Sequence, residues 1–270
     1  MTTTTLERPA ARSAAASRPA PAPIPFSRIV GVELRKMFNT RSGFWLVASI
    51  AIAAVLATGA VILFAPDSEL TYETFSAAIG FPMAVILPMV AILSVTSEWS
   101  QRSGLTTFAL VPHRGRVVGG KLVATVLIAV TAMLVALAVG ALGNVVGTAI
   151  TGTETVWNSS VSEFLLIVLA NVLGMLIGFT LGVVIRSSPG AIVAYFIYAM
   201  LLPTVFGMLA AYQGWFRDLQ PWVDFNYSSM GLYESTWSNA EWAQVGTSGL
   251  IWLVAPLAVG LWSLLRSEVK

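Results

Sequence analysis

Residues 122–144 read LVATVLIAVTAMLVALAVGALGN, a run without a single Asp, Glu, Lys, Arg or His. At 1.5 Å rise per residue, roughly 20 apolar residues cross the bilayer hydrocarbon, which is about 30 Å thick. The run is twice the length of a barrel strand, and lipid cannot satisfy open backbone groups, so a helix is the element it dictates. Comparable uncharged runs lie near 44–64, 75–96, 164–185, 191–212 and 246–265. The expected fold is therefore an all-α membrane protein with six transmembrane helices spread over residues 44–265.

Composition supports that class. Of the 270 residues, 56% are hydrophobic and 10% charged, and the mean hydropathy is +0.79; soluble domains carry about 25% charged residues. The absence of cysteine excludes disulfides, thiolate chemistry and Cys-ligated metal clusters. A lone histidine, His113, gives little basis for a metal centre.

Orientation follows from the basic residues. Arg8, Arg12, Arg18, Arg28, Arg35, Lys36 and Arg41 precede the first run. Arg102, Arg114, Arg116 and Lys121 lie between the second and third, Arg186 between the fourth and fifth, and Arg266 and Lys270 after the last. Only Arg217 falls on the other side, among Asp67, Glu69, Glu73, Glu154, Glu163, Asp218, Asp224, Glu234 and Glu241. By the positive-inside bias both termini are expected in the cytoplasm. Residues 1–26, rich in Thr, Ala, Pro and Arg, lack the apolar core of a secretory signal and are expected to form a disordered cytoplasmic tail.

Residues 27–41 place Val30, Leu34, Met37 and Phe38 on one helical face and Arg28, Arg35 and Asn39 on the other. This spacing predicts an amphipathic helix lying along the inner leaflet, as an anchor or a partner contact. The loop 97–121 carries Glu98 and Arg102 four residues apart, then Gly104 and Pro112, and ends in PHRGRVVGGKL (112–122). Gly115, Gly120 and Lys121 match the spacing of a phosphate-binding loop, but Leu122 stands where Mg²⁺ requires Ser or Thr, and neither the strand before it nor the soluble helix behind it is expected. The reading here is a turn, with Gly119 and Gly120 bending the chain into the third span at Lys121.

Inside the spans, Gly174, Gly178 and Gly182 repeat every four residues and predict close helix packing, within one subunit or against a second. Pro82, Pro88, Pro203 and Pro256 predict kinks or breaks. Asn144 and Asn171 read as interhelical hydrogen-bonding residues. No ionisable side chain falls within the six runs, so carriers driven by intramembrane carboxylates or histidines are a poor match. No nucleophile elbow or clustered catalytic set is present, which leaves an integral membrane enzyme without a site. The segment 213–245 holds Trp215, Trp222, Trp237 and Trp242 with Tyr227 and Tyr233, and is expected to lie on or dip into the outer leaflet, as an anchor or as a cap over an exit path.

Six spans with both ends inside, a preceding amphipathic helix, and the order Glu98, Gly104-Leu105-Thr106, Leu110, Pro112, Arg114 and Gly120-Lys121 together resemble the type-two family of ATP-binding cassette (ABC) export permeases. Gly104-Leu105 departs from the family's commoner Gly-Thr or Gly-Ser. The resemblance covers residue 27 to the C-terminus. It implies a permease in a bacterial cell membrane, paired with a second permease chain, the same or related, and resting on separate nucleotide-binding ATPase subunits that carry ATP and Mg. By the same resemblance Arg28, Arg35, Glu98, Arg102, Gly104, Arg114 and Arg116 would couple to the ATPase subunit, spans one, two and five would line the path, and 213–245 would cap it. This chain itself would hold no catalytic, cofactor or metal site. The cargo implied by an uncharged interior is an amphipathic or hydrophobic drug, lipid or peptide. The alternative is a membrane immunity or scaffold component that associates with an ATPase without transporting.

Overall fold

The structure is a computed structural model and describes residues 24–100, 114–233 and 237–266. Among these the chain is helical, with no strand and one isolated bridge, Thr71 to Val156. Six helical stretches are long and apolar enough to cross a membrane: Gly43–Phe64, Tyr72–Ser97, Gly115–Thr151, Val161–Ile185, Ser188–Tyr212 and Asn239–Arg266. Residues 1–23 and 101–113, the latter with Arg102, Gly104, Pro112 and His113, lie outside the described residues.

The chain begins with α1 (Phe26–Asn39), ends that helix at an extended Thr40, and restarts as α2 (Arg41–Phe64), the first span. Thr40 caps α2 by accepting from Gly43 N at 3.1 Å. The second span is α3 (Tyr72–Ser100), and the third is α4 (Arg114–Thr151). The third run is longer than hydropathy predicts at both ends. Its 38 residues span about 57 Å, so it outreaches the hydrocarbon. Gly119 and Gly120 make no bend, because both lie inside this unbroken helix.

The fourth span, α5 (Val161–Ile185), opens on a capping box between Ser160 and Glu163. It closes at Arg186, whose φ of 56° lies in the left-handed region. Arg186 Nη2 donates to Ser263 Oγ at 2.9 Å, tying this corner to the last helix. The fifth span comprises α6 (Ser188–Phe196), a π-turn Ile197–Leu201 and α7 (Leu202–Tyr212). The last span comprises α10 (Asn239–Gly249), a π-turn Leu250–Val254 and α11 (Ala255–Arg266). Each π-turn immediately precedes a proline region, Pro203 or Pro256. A proline lacks the N–H that would bond residue i−4 and its ring crowds that carbonyl, so the helix widens by one residue there and continues. Pro82 and Pro88 sit within α3 without interrupting it.

The main core lies between the first four spans. It includes Ile50 and Ala54 from α2, Met83 and Leu87 from α3, Met133 and Ala136 from α4, and Met175 and Phe179 from α5. The second span is the most buried; the first, fifth and sixth turn most of their apolar surface outward. In water that much exposed apolar area would mark an unstable fold, whereas in lipid it is the ordinary outer face of a bundle.

Between the fifth and sixth spans come α8 (Gly214–Val223), α9 (Phe225–Met230) and a 3₁₀ turn Gly231–Tyr233. The chain does not stay at the surface. Phe225 and Leu232 are fully buried, and the 3₁₀ turn packs against α5. Two indoles expected at headgroup level are used internally or half-shielded: Trp237 Nε1 donates to Gly231 O at 2.7 Å, and its ring lies 4.8 Å from that of Trp242. Trp215 remains exposed.

Candidate functional site

Two features stand at opposite ends of the bundle, one on the face bearing α1 and the end of α11, the other on the distal face. On the first, Glu33 of α1 is buried at 5% exposure. Its Oε2 accepts from Lys121 Nζ at 2.7 Å, and its Oε1 accepts from Lys36 Nζ at 2.7 Å. Lys121 is equally buried and also donates to Ser94 O of α3 at 3.2 Å. One carboxylate thus takes two ammonium groups and joins α1, α4 and α3. Removal from water costs each ion several kcal/mol, and only good geometry with opposite charge offsets it. Gly120 makes the approach possible, since a Cβ there would fall 2.7 Å from Ile29 Cγ2.

This arrangement settles the role of the GGK segment. Gly115, Gly120 and Lys121 are helical, so no loop of free N–H groups exists to cradle phosphate, and the ammonium is committed to Glu33. On α1, Val30 is buried and Leu34 and Met37 are half-buried as the apolar pattern predicts, while Phe38 is exposed. Glu33 was not legible as a site, because a carboxylate beside an apolar stripe reads as a solvated neighbour until the partner three helices along the chain is known.

The seven expected coupling residues scatter with respect to this cluster. Arg28 and Arg35 are exposed on α1. Arg116 Nη2 donates to Ile24 O at 2.7 Å, holding the start of α1. Arg114 and Glu98 fall at the ends of α4 and α3 with only their backbones described, and Arg102 and Gly104 lie outside the described residues.

The three glycines of α5 divide by depth. A Cβ on Gly178 would sit 2.6 Å from Pro88 O and 2.9 Å from Pro88 Cα, so α3 and α5 touch backbone to backbone there. At Gly182 the nearest atoms are Val95 Cβ at 3.3 Å and Ile92 O at 3.4 Å. Both glycines therefore pack within one subunit. At Gly174 nothing lies within 4 Å, because the helices have parted.

That parting opens the second feature, a cleft in the distal half of the bundle. Its outer chamber, about 580 Å³, is walled by Glu73, Ser76, Gly80 and Phe81 of α3, Asn158 of the connecting loop and Glu163 of α5. An inner chamber of about 170 Å³ lies among Asn171, Gly174, Tyr195, Tyr198 and Phe225. Ala84 and Tyr233 wall both. The α3 residues 73, 76, 80 and 84 recur at helical spacing and are mostly small, so one stripe of α3 forms a trough. From Glu73 to Ala84 the trough runs about 16 Å along the helix.

Polar groups in the cleft are held in place. Asn158 Nδ2 donates to Glu73 Oε2 at 2.9 Å, and its Oδ1 accepts from Glu73 N at 3.1 Å. Tyr195 Oη donates to Ala84 O at 2.7 Å, which is the carbonyl that Pro88 leaves without its usual helical donor. Asn171 Nδ2 donates to Ile167 O at 2.9 Å and reaches Tyr233 Oη at 3.5 Å. Burial raises the Tyr233 phenol above its ordinary range, so it stays protonated. Asn144, the other asparagine of the spans, donates to Val156 O at 2.9 Å and fixes the distal loop to α4.

Comparison with models of known protein families and with curated proteins finds no match to this chain. The reading of the site therefore stands on geometry and residue chemistry.

Proposed function

We propose that this chain is the membrane-spanning permease subunit of an ABC exporter of the type-two class, forming a path with a second permease and driven by separate ATPase subunits. The observation that carries this reading is the continuity of α3. Near one end its Ser94 carbonyl accepts from Lys121 within the Glu33 cluster; toward the other end Glu73, Gly80 and Ala84 wall the cleft. A displacement of α1 and the start of α4 by a partner on that face would tilt α3 as a unit, since its two prolines do not break it and Gly178 seats Pro88 without freedom to slip. Stiff packed elements of this kind carry movement between distant sites.

In this reading α1 and the segment between α3 and α4 receive the ATPase subunit on the cytoplasmic face, both termini lie on that face, and α8, α9 and the 3₁₀ turn cover the outer end of the path. The cargo class is amphipathic or hydrophobic, in a bacterial cell membrane.

The test is co-expression with a nucleotide-binding subunit encoded beside it, purification of the two together, and cargo flux in proteoliposomes with ATP. Stable association and flux that vanishes with a non-hydrolysing partner support the reading. Failure to associate in several mild detergents overturns it. Association and self-protection without flux would instead establish the immunity or scaffold role.

A further inference from the structure

We infer that the distal cleft is a binding site for a cationic amphipath, a positively charged group on an apolar body. This deepens the export reading by naming a cargo class, and for that purpose rests on it; the binding itself does not.

The charge of the cleft is one-sided. Among the described residues, Glu73 and Glu163 are the only charged side chains on its walls, and no described Lys, Arg or His lines either chamber. Glu163 is occupied in capping α5, where its Oε2 accepts from Ser160 N at 3.0 Å. Glu73 has no cationic partner among the described residues and is held by the neutral amide of Asn158. The trough of small residues thus places an amide-held carboxylate where a ligand can approach it.

A second and independent observation comes from the inner chamber. Asn171 is only 3% exposed, and its Oδ1 is buried with no hydrogen-bond partner among the described residues. A buried acceptor without a donor costs free energy that a ligand N–H would recover. Tyr195, Tyr198 and Phe225 also line this chamber, and aromatic side chains accept both cations and apolar groups. Carboxylate, orphan carbonyl oxygen and aromatic rings are all complementary to positive charge, and none favours an anion. Phe81, Ala84 and Ile167 supply the apolar wall for the rest of the molecule. The combined space suits one ligand of drug size.

The probes are tetraphenylphosphonium and tetraphenylborate, which share shape and apolar area and differ in the sign of charge. Saturable binding to the purified chain in detergent is measured for each without any ATPase subunit. The expected result is one saturable site for the phosphonium and none for the borate. Glu73→Gln keeps the Asn158 contact possible and should weaken phosphonium binding several-fold, up to about fivefold, the loss expected for one charge pair at an exposed carboxylate. Gly80→Leu should abolish it by filling the trough, since nothing lies within 4 Å of the added Cβ; Ala77→Leu is the second filling variant should the first not fold.

Equal binding of both probes, or phosphonium binding unchanged by Glu73→Gln and by a folded filling variant, overturns the inference. If ATP-driven flux of other cargo is then found, the export reading survives alone. If phosphonium binds as expected but no flux occurs, the export reading fails alone.

Discussion

The Lys121 ammonium lies 2.7 Å from the Glu33 carboxylate, with the lysine side chain 4% and the glutamate side chain 6% exposed. Buried pairs of this kind cost much when halved and little when replaced whole. Glu33→Leu or Lys121→Met alone should each destabilise the detergent-solubilised chain by about 3–5 kcal/mol, read as a fall in Tm. The double variant Glu33→Leu/Lys121→Met should recover most of that loss. A double variant as unstable as the sum of the singles would show that the two ions do not act on each other.

This pair also marks where sequence reasoning stops. The six spans were legible because each is an uncharged run long enough for the bilayer, and four of them match within about three residues at either end. The third was read short because Arg114, Arg116 and Lys121 interrupt the hydropathy, although a charged residue continues a helix readily when it is paired or reaches water. The sixth was read short because α10 begins in the polar sequence NAEWAQ, which its capping box and its packing on α8 make helical. Gly174 looked identical to Gly178 and Gly182; only the divergence of α3 from α5, a tertiary fact, separates a packing glycine from a cavity glycine. The cleft was invisible for the same reason, since Glu73 and Asn171 lie 98 positions apart in sequence and nothing local joins them.

The glycines should therefore respond differently to the same substitution. Gly178→Ala forces its Cβ against Pro88 backbone atoms that cannot rotate away, and should cost about 1–3 kcal/mol as the two helices separate. Gly182→Ala meets contacts of 3.3 Å and should cost less. Gly174→Ala should be neutral or mildly stabilising, because the site is open and alanine is the better helix former. Tm values that fall in any other order would reject the packing described for α3 and α5.

Tyr195 is expected to matter through Pro88. Its hydroxyl satisfies the Ala84 carbonyl that proline leaves open, so Tyr195→Phe should cost about 1–3 kcal/mol for an unsatisfied buried acceptor. Replacing Pro88 by alanine restores a backbone N–H able to reach that carbonyl. In the Pro88→Ala background the added cost of Tyr195→Phe should shrink to below about 1 kcal/mol, the net worth of an ordinary hydrogen bond. Equal costs in both backgrounds would mean that Tyr195 acts by packing alone.

Trp252 should control the segment 214–233 specifically. Its indole Nε1 donates to Val223 O at 2.7 Å, at the point where α8 ends and α9 begins, and its ring lies 5.5 Å from that of Tyr198. Trp252→Phe keeps an aromatic body beside Tyr198 and removes the donor, so the corner at 223–224 loses its tie to the last span. Hydrogen exchange at the amides of residues 214–233 should accelerate by about tenfold, the effect of roughly 1.4 kcal/mol on local opening, while amides of α3 and α4 hold their protection. The contrast between the two regions is what discriminates, because general destabilisation would raise exchange in both. Uniform acceleration, or none in 214–233, would show that the segment is held by its buried Phe225 and Leu232 and that the indole bond adds nothing.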